Sequence, residues 1–389
     1  MRFFAWYWGG AIVALPLFFR IDTLGDLRFT KDTFFIALTF MSLIVFGFKR
    51  ELTYQHKIIA SLFAVVSALL FFNQHNLYSS AVVMQWLCLN VGMILVLQML
   101  THFSTWDISL ILNSMAITCL IQSAWFICNY FSIDPYLWIF SAQGMDVKKV
   151  VMVDGVQTII NPSEVVHIIG SLGQQTLSGA LIAITMPALF RNKWMWALPV
   201  AIVAICLTES AMTWLAAVFA ILSYVCFKCF SKRGSIRELA IYSIPILGFV
   251  IYENIHQPFF DDQLRFGVWA STLSWVEGSA IFFGNGPGYF YDMFNRYYPM
   301  DPKWVHPHSE YINLYVLIGA FGVSVAVALI WYALQRAKAQ PILGASLVAL
   351  LVNSFGNFPM HMSATALVGI SVFSLLAISK PKGGTESWL

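Results

Sequence analysis

Charge is what this chain has least of: Asp, Glu, Lys and Arg together make up 11% of its 389 residues, where a soluble domain carries about a quarter. That scarcity excludes water as its solvent. A run of basic residues is also missing, since Lys232-Arg233 with Arg237 is the densest cluster and the net charge is only +3. Nucleic acid is therefore not an expected partner. Six cysteines, at 88, 119, 128, 206, 226 and 229, fall inside or at the ends of apolar stretches, where Cys behaves as a small hydrophobe, so no disulfide framework is expected. The glycine-rich stretch at 284–288 has neither the Lys-Ser/Thr nor the strand–turn–helix setting of a nucleotide loop. No third ligand with metal spacing accompanies His306 and His308, and no metal is expected there.

What is present is apolar: 59% of the residues are hydrophobic and the mean hydropathy is +0.73. Windows of about 20 apolar residues are long enough to cross a bilayer. They recur at about 3–19, 32–48, 58–73, 79–100, 107–131, 166–190, 194–208, 211–230, 239–253, 310–334, 341–356 and 363–379. The expected architecture is an all-α polytopic membrane protein of about 12 transmembrane helices forming a single membrane domain. The first window reads as a span and not a cleaved leader, because only Arg2 precedes it and no small-residue cleavage site follows. Placing the N-terminus in the cytoplasm puts 14 of the 22 Lys and Arg residues inside, concentrated in the short loops at 49–57, 231–237 and 335–340. Both termini then face the cytoplasm, and the two longest connections, 132–165 and 254–309, lie outside.

Long connections without a strong helical pattern tend to carry function. The second holds Trp269, Trp275, Tyr289, Tyr291, Tyr297, Tyr298 and Trp304, a density that suits a membrane interface or a sugar-binding surface. Where it re-enters the membrane stands His306-Pro307-His308-Ser309-Glu310. A histidine wetted on one side only can be neutral near pH 7 and take a proton from an attacking hydroxyl. A purely structural alternative is that His308 and Ser309 cap the helix that follows. Upstream, Arg265 and Trp269 are four residues apart and share a helical face. The guanidinium of Arg265 suits a diphosphate, which it can bind through two oxygens at once; the competing role is snorkelling to lipid phosphate or pairing with Asp261. The glycines at 284, 286 and 288 allow a tight turn close to a ligand or a helix. Gln174, in the polar patch Gly170-Ser171-Leu172-Gly173-Gln174-Gln175, sits at the mouth of a span, where polar groups commonly line a cavity. Lys148 and Lys149 add positive charge on the same side, or are simply solvated.

In order along the chain, these segments resemble the O-antigen ligase and O-antigen polymerase superfamily of bacterial membrane glycosyltransferases. The stretch 170–175 is similar to the family's Gly-x-x-Gly-x-x entry into a span, Arg265-x-x-x-Trp269 to its Arg-x-x-x-Trp, and Gly284 to Phe290 to its Gly-x-Gly-x-Gly-x-Phe. His306-Pro307-His308-Ser309-Glu310-Tyr311-Ile312-Asn313 is similar to its His-Pro-His-Asn-Glu-Tyr-Leu-Gln, followed by Gly319-Ala320-Phe321-Gly322 for its Gly-x-x-Gly. Asn357-Phe358-Pro359-Met360-His361 looks like its Phe-Pro-Leu segment. Two departures stand out. Many members have Ser-Arg where this chain has Glu209-Ser210-Ala211-Met212, and many carry an acid before the Gly-x-x-Gly where this chain has Val316-Leu317-Ile318.

The resemblance implies a metal-independent inverting glycosyltransferase of the bacterial inner membrane, with its active site facing the periplasm and no cofactor. Its donor is a glycan on a polyprenyl diphosphate, and its acceptor a glycolipid such as lipid A core, a growing glycan, or a protein. His308 is the implied general base, with His306 assisting and Arg265 on the diphosphate. Trp269, Gln174, Glu310, Lys303, Arg296 and the Lys148–Lys149 pair are implied substrate contacts, the cations standing in for the arginine absent at Ala211. Two other classes, a polysaccharide-lipid flippase and a non-catalytic assembly protein, also suit a polytopic chain. A transporter, however, places ionisable groups near the bilayer midplane and often repeats one half in the other, a pattern this sequence lacks.

Overall fold

The computed structural model describes residues 2–17, 105–131, 133, 149–153, 156–160, 175–208, 210–229, 263–297 and 307–379, with single positions between 35 and 96. The helices are α1 (Arg2–Ala14), α2 (Thr105–Tyr130), α3 (Gln175–Thr185), α4 (Leu198–Leu207), α5 (Ala211–Cys229), α6 (Gln263–Ser274), α7 (Ala280–Phe283), α8 (Tyr289–Tyr297), α9 (Glu310–Arg336), α10 (Pro341–Gly356) and α11 (Ser363–Ile378). Three stretches are long and apolar enough to cross a membrane: Asp107–Tyr130, Ala211–Lys228 and Glu310–Arg336. Phe4–Leu17, Thr176–Phe190, Asn192–Leu207, Pro341–Gly356 and Ser363–Ile378 are shorter apolar segments. The chain is thus a helical protein suited to a membrane. The windows expected near 32–48, 58–73, 79–100 and 239–253 lie wholly or largely outside the described residues.

Two departures from the expected pattern have local causes. Within the window at 166–190 the described residues are α-helical from Gln175 to Thr185 and continue as a 3-10 segment, Met186–Phe190, with Pro187 at its start; proline lacks the N–H that an α-helical turn would use. The connection 132–165 is not free of strands. Lys149–Val153 (β1) and Val156–Ile160 (β2) pair antiparallel, with Val153 opposite Val156 and Lys149 opposite Ile160.

Close helix approach holds the core together, as expected where lipid removes much of the hydrophobic drive for packing helix on helix. α5 and α10 run antiparallel. Methyl groups added at Gly344 and Gly356 would lie 2.9 Å from the Phe227 ring and 2.7 Å from Met212, respectively. Polar side chains stitch the rest. Trp8 Nε1 donates to Ser371 Oγ at 2.7 Å, joining α1 to α11, and Thr118 Oγ1 donates to Ile12 O at 3.1 Å, joining α2 to α1. Arg191 donates to Ser109 O at 2.9 Å and Asn113 Oδ1 at 2.6 Å, strapping the 190–194 turn to α2.

The long helix α9 is broken once. Gly319 sits at φ +62°, ψ −169°, a conformation open to glycine and strained for other residues. The break frees two carbonyls that an unbroken helix would bond to the N–H four residues on. The glycine-rich turn takes them: Asn285 N donates to Val316 O at 2.7 Å and Gly286 N to Leu317 O at 3.2 Å. The fit is backbone against backbone. A Cβ on Gly319 would lie 2.4 Å from the Phe282 carbonyl carbon, and one on Gly284, itself at φ +76°, 2.3 Å from Leu317 O. The glycines of 284–288 therefore allow close approach to a helix.

Candidate functional site

The site is assembled at the Glu310 end of α9. Pro307 is buried and its carbonyl accepts a hydrogen bond from Trp269 Nε1 at 2.5 Å, which ties α6 to the segment entering α9. Trp269 is buried edge-on between Phe266 and Phe355, with ring centroids 5.3 and 5.6 Å away. Its indole N–H is spent on the Pro307 carbonyl, so Trp269 holds the segment that enters α9. Trp269→Phe is expected to keep the ring packing and lose one buried hydrogen bond at about 1 kcal/mol, as a lowered unfolding midpoint in detergent would show.

His308 is half-buried and held at φ +53°, the one positive φ outside glycine among the described residues. Left-handed backbone at a non-glycine residue costs about 1–3 kcal/mol and persists where surrounding contacts impose it, often at functional sites. Those contacts are visible here. The Trp269 bond fixes the residue before, Ser309 opens α9 in extended conformation, and the imidazole stands edge-on to Phe358 with centroids 5.0 Å apart. Ser309 is the N-cap residue, yet its side chain makes no capping hydrogen bond.

Below His308 lies a buried polar cluster. Glu310 Oε1 accepts the Met360 N–H at 2.7 Å, and Glu310 Oε2 is 3.2 Å from His361 Nε2. The same Nε2 is 2.9 Å from the Asn313 amide. One ring nitrogen cannot accept from an amide and donate to a carboxylate together. With Nε2 donating toward Glu310, Asn313 presents its carbonyl oxygen to the same N–H, since Asn oxygen and nitrogen exchange places by a simple flip. Glu310, Asn313 and His361 bind one another and the Met360 N–H. Glu310 thus clamps the 3-10 turn Pro359–His361, which Thr365 also holds by donating to Pro359 O.

Glu310→Ala would strand the Met360 N–H and a buried imidazole at a cost of about 1–3 kcal/mol, whereas Glu310→Gln keeps an acceptor for Met360 N. Thermal unfolding in detergent should accordingly rank wild type, then Gln, then Ala; equal midpoints for the two variants would show that the clamp is not what Glu310 supplies.

An apolar cavity of about 240 Å³ begins beside Glu310 and Tyr311 and runs down α9 past Ile318 and Gly322, closed by Leu350 of α10 and Phe373 of α11. On the other side of the site the interface aromatics are ordered. Tyr289 donates its hydroxyl to Trp275 O at 2.8 Å, and Trp275 stacks on Tyr297 with centroids 5.4 Å apart. Burial, then the charge of Glu277, pushes the Tyr289 phenol above its ordinary value, so it remains a donor.

Of the residues expected from sequence, His308, Glu310 and Trp269 come together at one helix end. Arg265 lies on α6 one turn before Trp269, on the same face. Arg296 is exposed near the end of α8, and Lys149 opens β1. His306, Lys303, Gln174 and Lys148 lie outside the described residues. Sequence reading gave no role to Asn313 or His361, and the one signal for them was a polar residue inside each of two apolar surroundings. No protein-family model matches this chain, and no curated protein matches it.

Proposed function

We propose that the chain is a membrane glycosyltransferase that moves a glycan from a polyprenyl-diphosphate carrier to an acceptor hydroxyl at the periplasmic face of a bacterial inner membrane, in the manner of an O-antigen ligase. Polymerisation of a glycan and loading of a protein are the same chemistry with another acceptor. The observation that carries the proposal is convergence. Trp269 and Phe358, from segments about ninety residues apart, meet the His308 segment and hold His308 in a strained, half-buried position, while 284–286 dock on the same helix at 316–319.

In the proposed reaction the acceptor O–H gives its proton to His308 while its oxygen forms a bond to the anomeric carbon. The bond from that carbon to the diphosphate oxygen breaks, the configuration inverts, and polyprenyl diphosphate leaves with the electron pair. His308 supplies general-base catalysis. His306 assists it. Arg265, from its position one turn before Trp269, offsets the charge growing on the leaving diphosphate, a preorganised electrostatic contribution. Glu310 serves by holding the Phe358–His361 turn against the His308 ring. The apolar cavity starting beside Glu310 supports a donor that carries a hydrocarbon chain.

Arg265→Lys tests the donor half. A lysine keeps the charge but not the paired donors of a guanidinium, so transfer from a purified lipid-linked glycan should fall at least about tenfold, equivalent to about 1.4 kcal/mol in the barrier. A wild-type rate would remove Arg265 from the diphosphate.

A further inference from the structure

The segment from Ala280 to Pro287 belongs, by sequence, to a connection expected in water. Its packing places it deeper. Gly284 and the Phe282 backbone rest directly on Gly319 of α9, nine residues, or about 13 Å, along the helix from Glu310. At the far end Arg336 folds its guanidinium over the Tyr332 ring, 3.5 Å from its centroid, and donates to Tyr332 O at 3.1 Å, which marks the opposite headgroup boundary near 332–336. Counting a hydrocarbon core of about 30 Å from there, at about 1.5 Å per residue, puts its other surface near residues 312–316. Gly319, and the turn resting on it, then lie about 5–10 Å inside hydrocarbon.

Two independent features fit that depth. The first is hydrogen-bonding. Non-helical backbone survives at membrane depth only where its polar groups are satisfied, and the N–H groups of seven consecutive residues here all find acceptors. Ala280 N bonds to Glu277 O, Ile281 N to Gly278 O, Phe282 N and Phe283 N to Ser279 O, Gly284 N to Ala280 O, Asn285 N to Val316 O and Gly286 N to Leu317 O. Pro287 has no N–H to satisfy. The second is exposure. Ile281, Phe282 and Phe283 are 40, 60 and 49% exposed, and α9, on which the turn rests, exposes Phe321, Val327 and Trp331 in the same way. Exposed Glu277 before the turn and exposed Asp292 after it mark where the chain leaves hydrocarbon.

We infer that Ala280–Pro287 is a re-entrant wedge that seats Ile281, Phe282 and Phe283 among the lipid chains of the leaflet entered by the Glu310 end of α9. The break at Gly319 is what makes room for it and supplies its last two acceptors. The inference rests on α9 crossing a bilayer and not on transfer chemistry, so it stands or falls apart from the catalytic proposal.

The test uses the full chain reconstituted in phospholipid vesicles, with a nitroxide attached to Phe282→Cys, Asp292→Cys or Val327→Cys, and the parent chain labelled in parallel to subtract the native cysteines. All three side chains are exposed, so the substitutions spare the packing. Oxygen, which concentrates in hydrocarbon, should relax the label at position 282 more than a water-soluble nickel chelate does, as at position 327. The ordering found at position 292, nickel chelate above oxygen, would overturn the wedge if it appeared at 282. A Phe283→Cys label, expected to behave like 282, repeats the reading if the first variant fails to reconstitute.

Discussion

His308→Ala is expected to abolish glycan transfer while leaving the protein in the membrane at its normal level. Removing a general base costs about 10²- to 10⁴-fold in rate, and the half-buried position of His308 leaves little room for water to take its place. The backbone allows a sharper form of the experiment. At φ +53° the residue carries strain that glycine would not, so His308→Gly should raise the unfolding midpoint or leave it unchanged while eliminating transfer. His308→Asn, which tolerates left-handed backbone, should fold normally and be equally inactive. Such a division of stability from activity is what distinguishes a base from a helix cap. Normal glycan assembly by a strain carrying either variant would remove His308 from the chemistry.

The largest structural effect should follow Gly319→Ala or Gly284→Ala. Each adds a Cβ within 2.4 Å of backbone atoms on the facing segment, at positive φ, and backbone cannot swing aside as a flexible side chain does. Left-handed strain of about 1–2 kcal/mol and overpacking of about 1–3 kcal/mol together give a loss of about 2–5 kcal/mol, with both bonds from the glycine turn to α9 broken. Protease cleavage within 278–288 and a lowered unfolding midpoint would report it, and transfer should vanish with them, because α6 and α9 lose their alignment. Gly267→Ala is the control. It lies in α6 with open space around it, and should be neutral or stabilising by about 0.5–1 kcal/mol, as helical Gly→Ala exchanges are. Equal damage from all three would mean that the turn is not docked as described.

How much of this could be read in the residues depended on the range of each contact. Apolar length announced α2, α5 and α9, and the four-residue spacing of Arg265 and Trp269 announced their shared helical face, because both signals are local. The Glu310–His361 clamp was not legible, since it joins residues about fifty apart and no local pattern pairs them. Gly319 was visible only as half of a Gly-x-x-Gly; that it breaks α9 follows from the turn at 284–288, which itself needed α9 to have a shape. The β1–β2 pairing has a local signal, since Asp154-Gly155 between two β-branched runs is a strong two-residue turn sequence. The bond from Trp269 to Pro307 O joins residues 38 apart, and a one-dimensional pattern of aromatics does not show such a contact.

The central claim is that this chain breaks the bond between a glycan and its lipid diphosphate, and one reaction tests it most directly. Purified protein in lipid vesicles is given a polyprenyl-diphosphate oligosaccharide and, in turn, lipid A core, a free oligosaccharide carrier and a protein acceptor, and polyprenyl diphosphate is measured alongside the new glycosidic bond. The account predicts that one acceptor yields equal amounts of both, with inverted anomeric configuration, and that His308→Asn yields neither. Intact carrier with every acceptor, from protein that nevertheless moves the lipid-linked glycan across the bilayer, would contradict it.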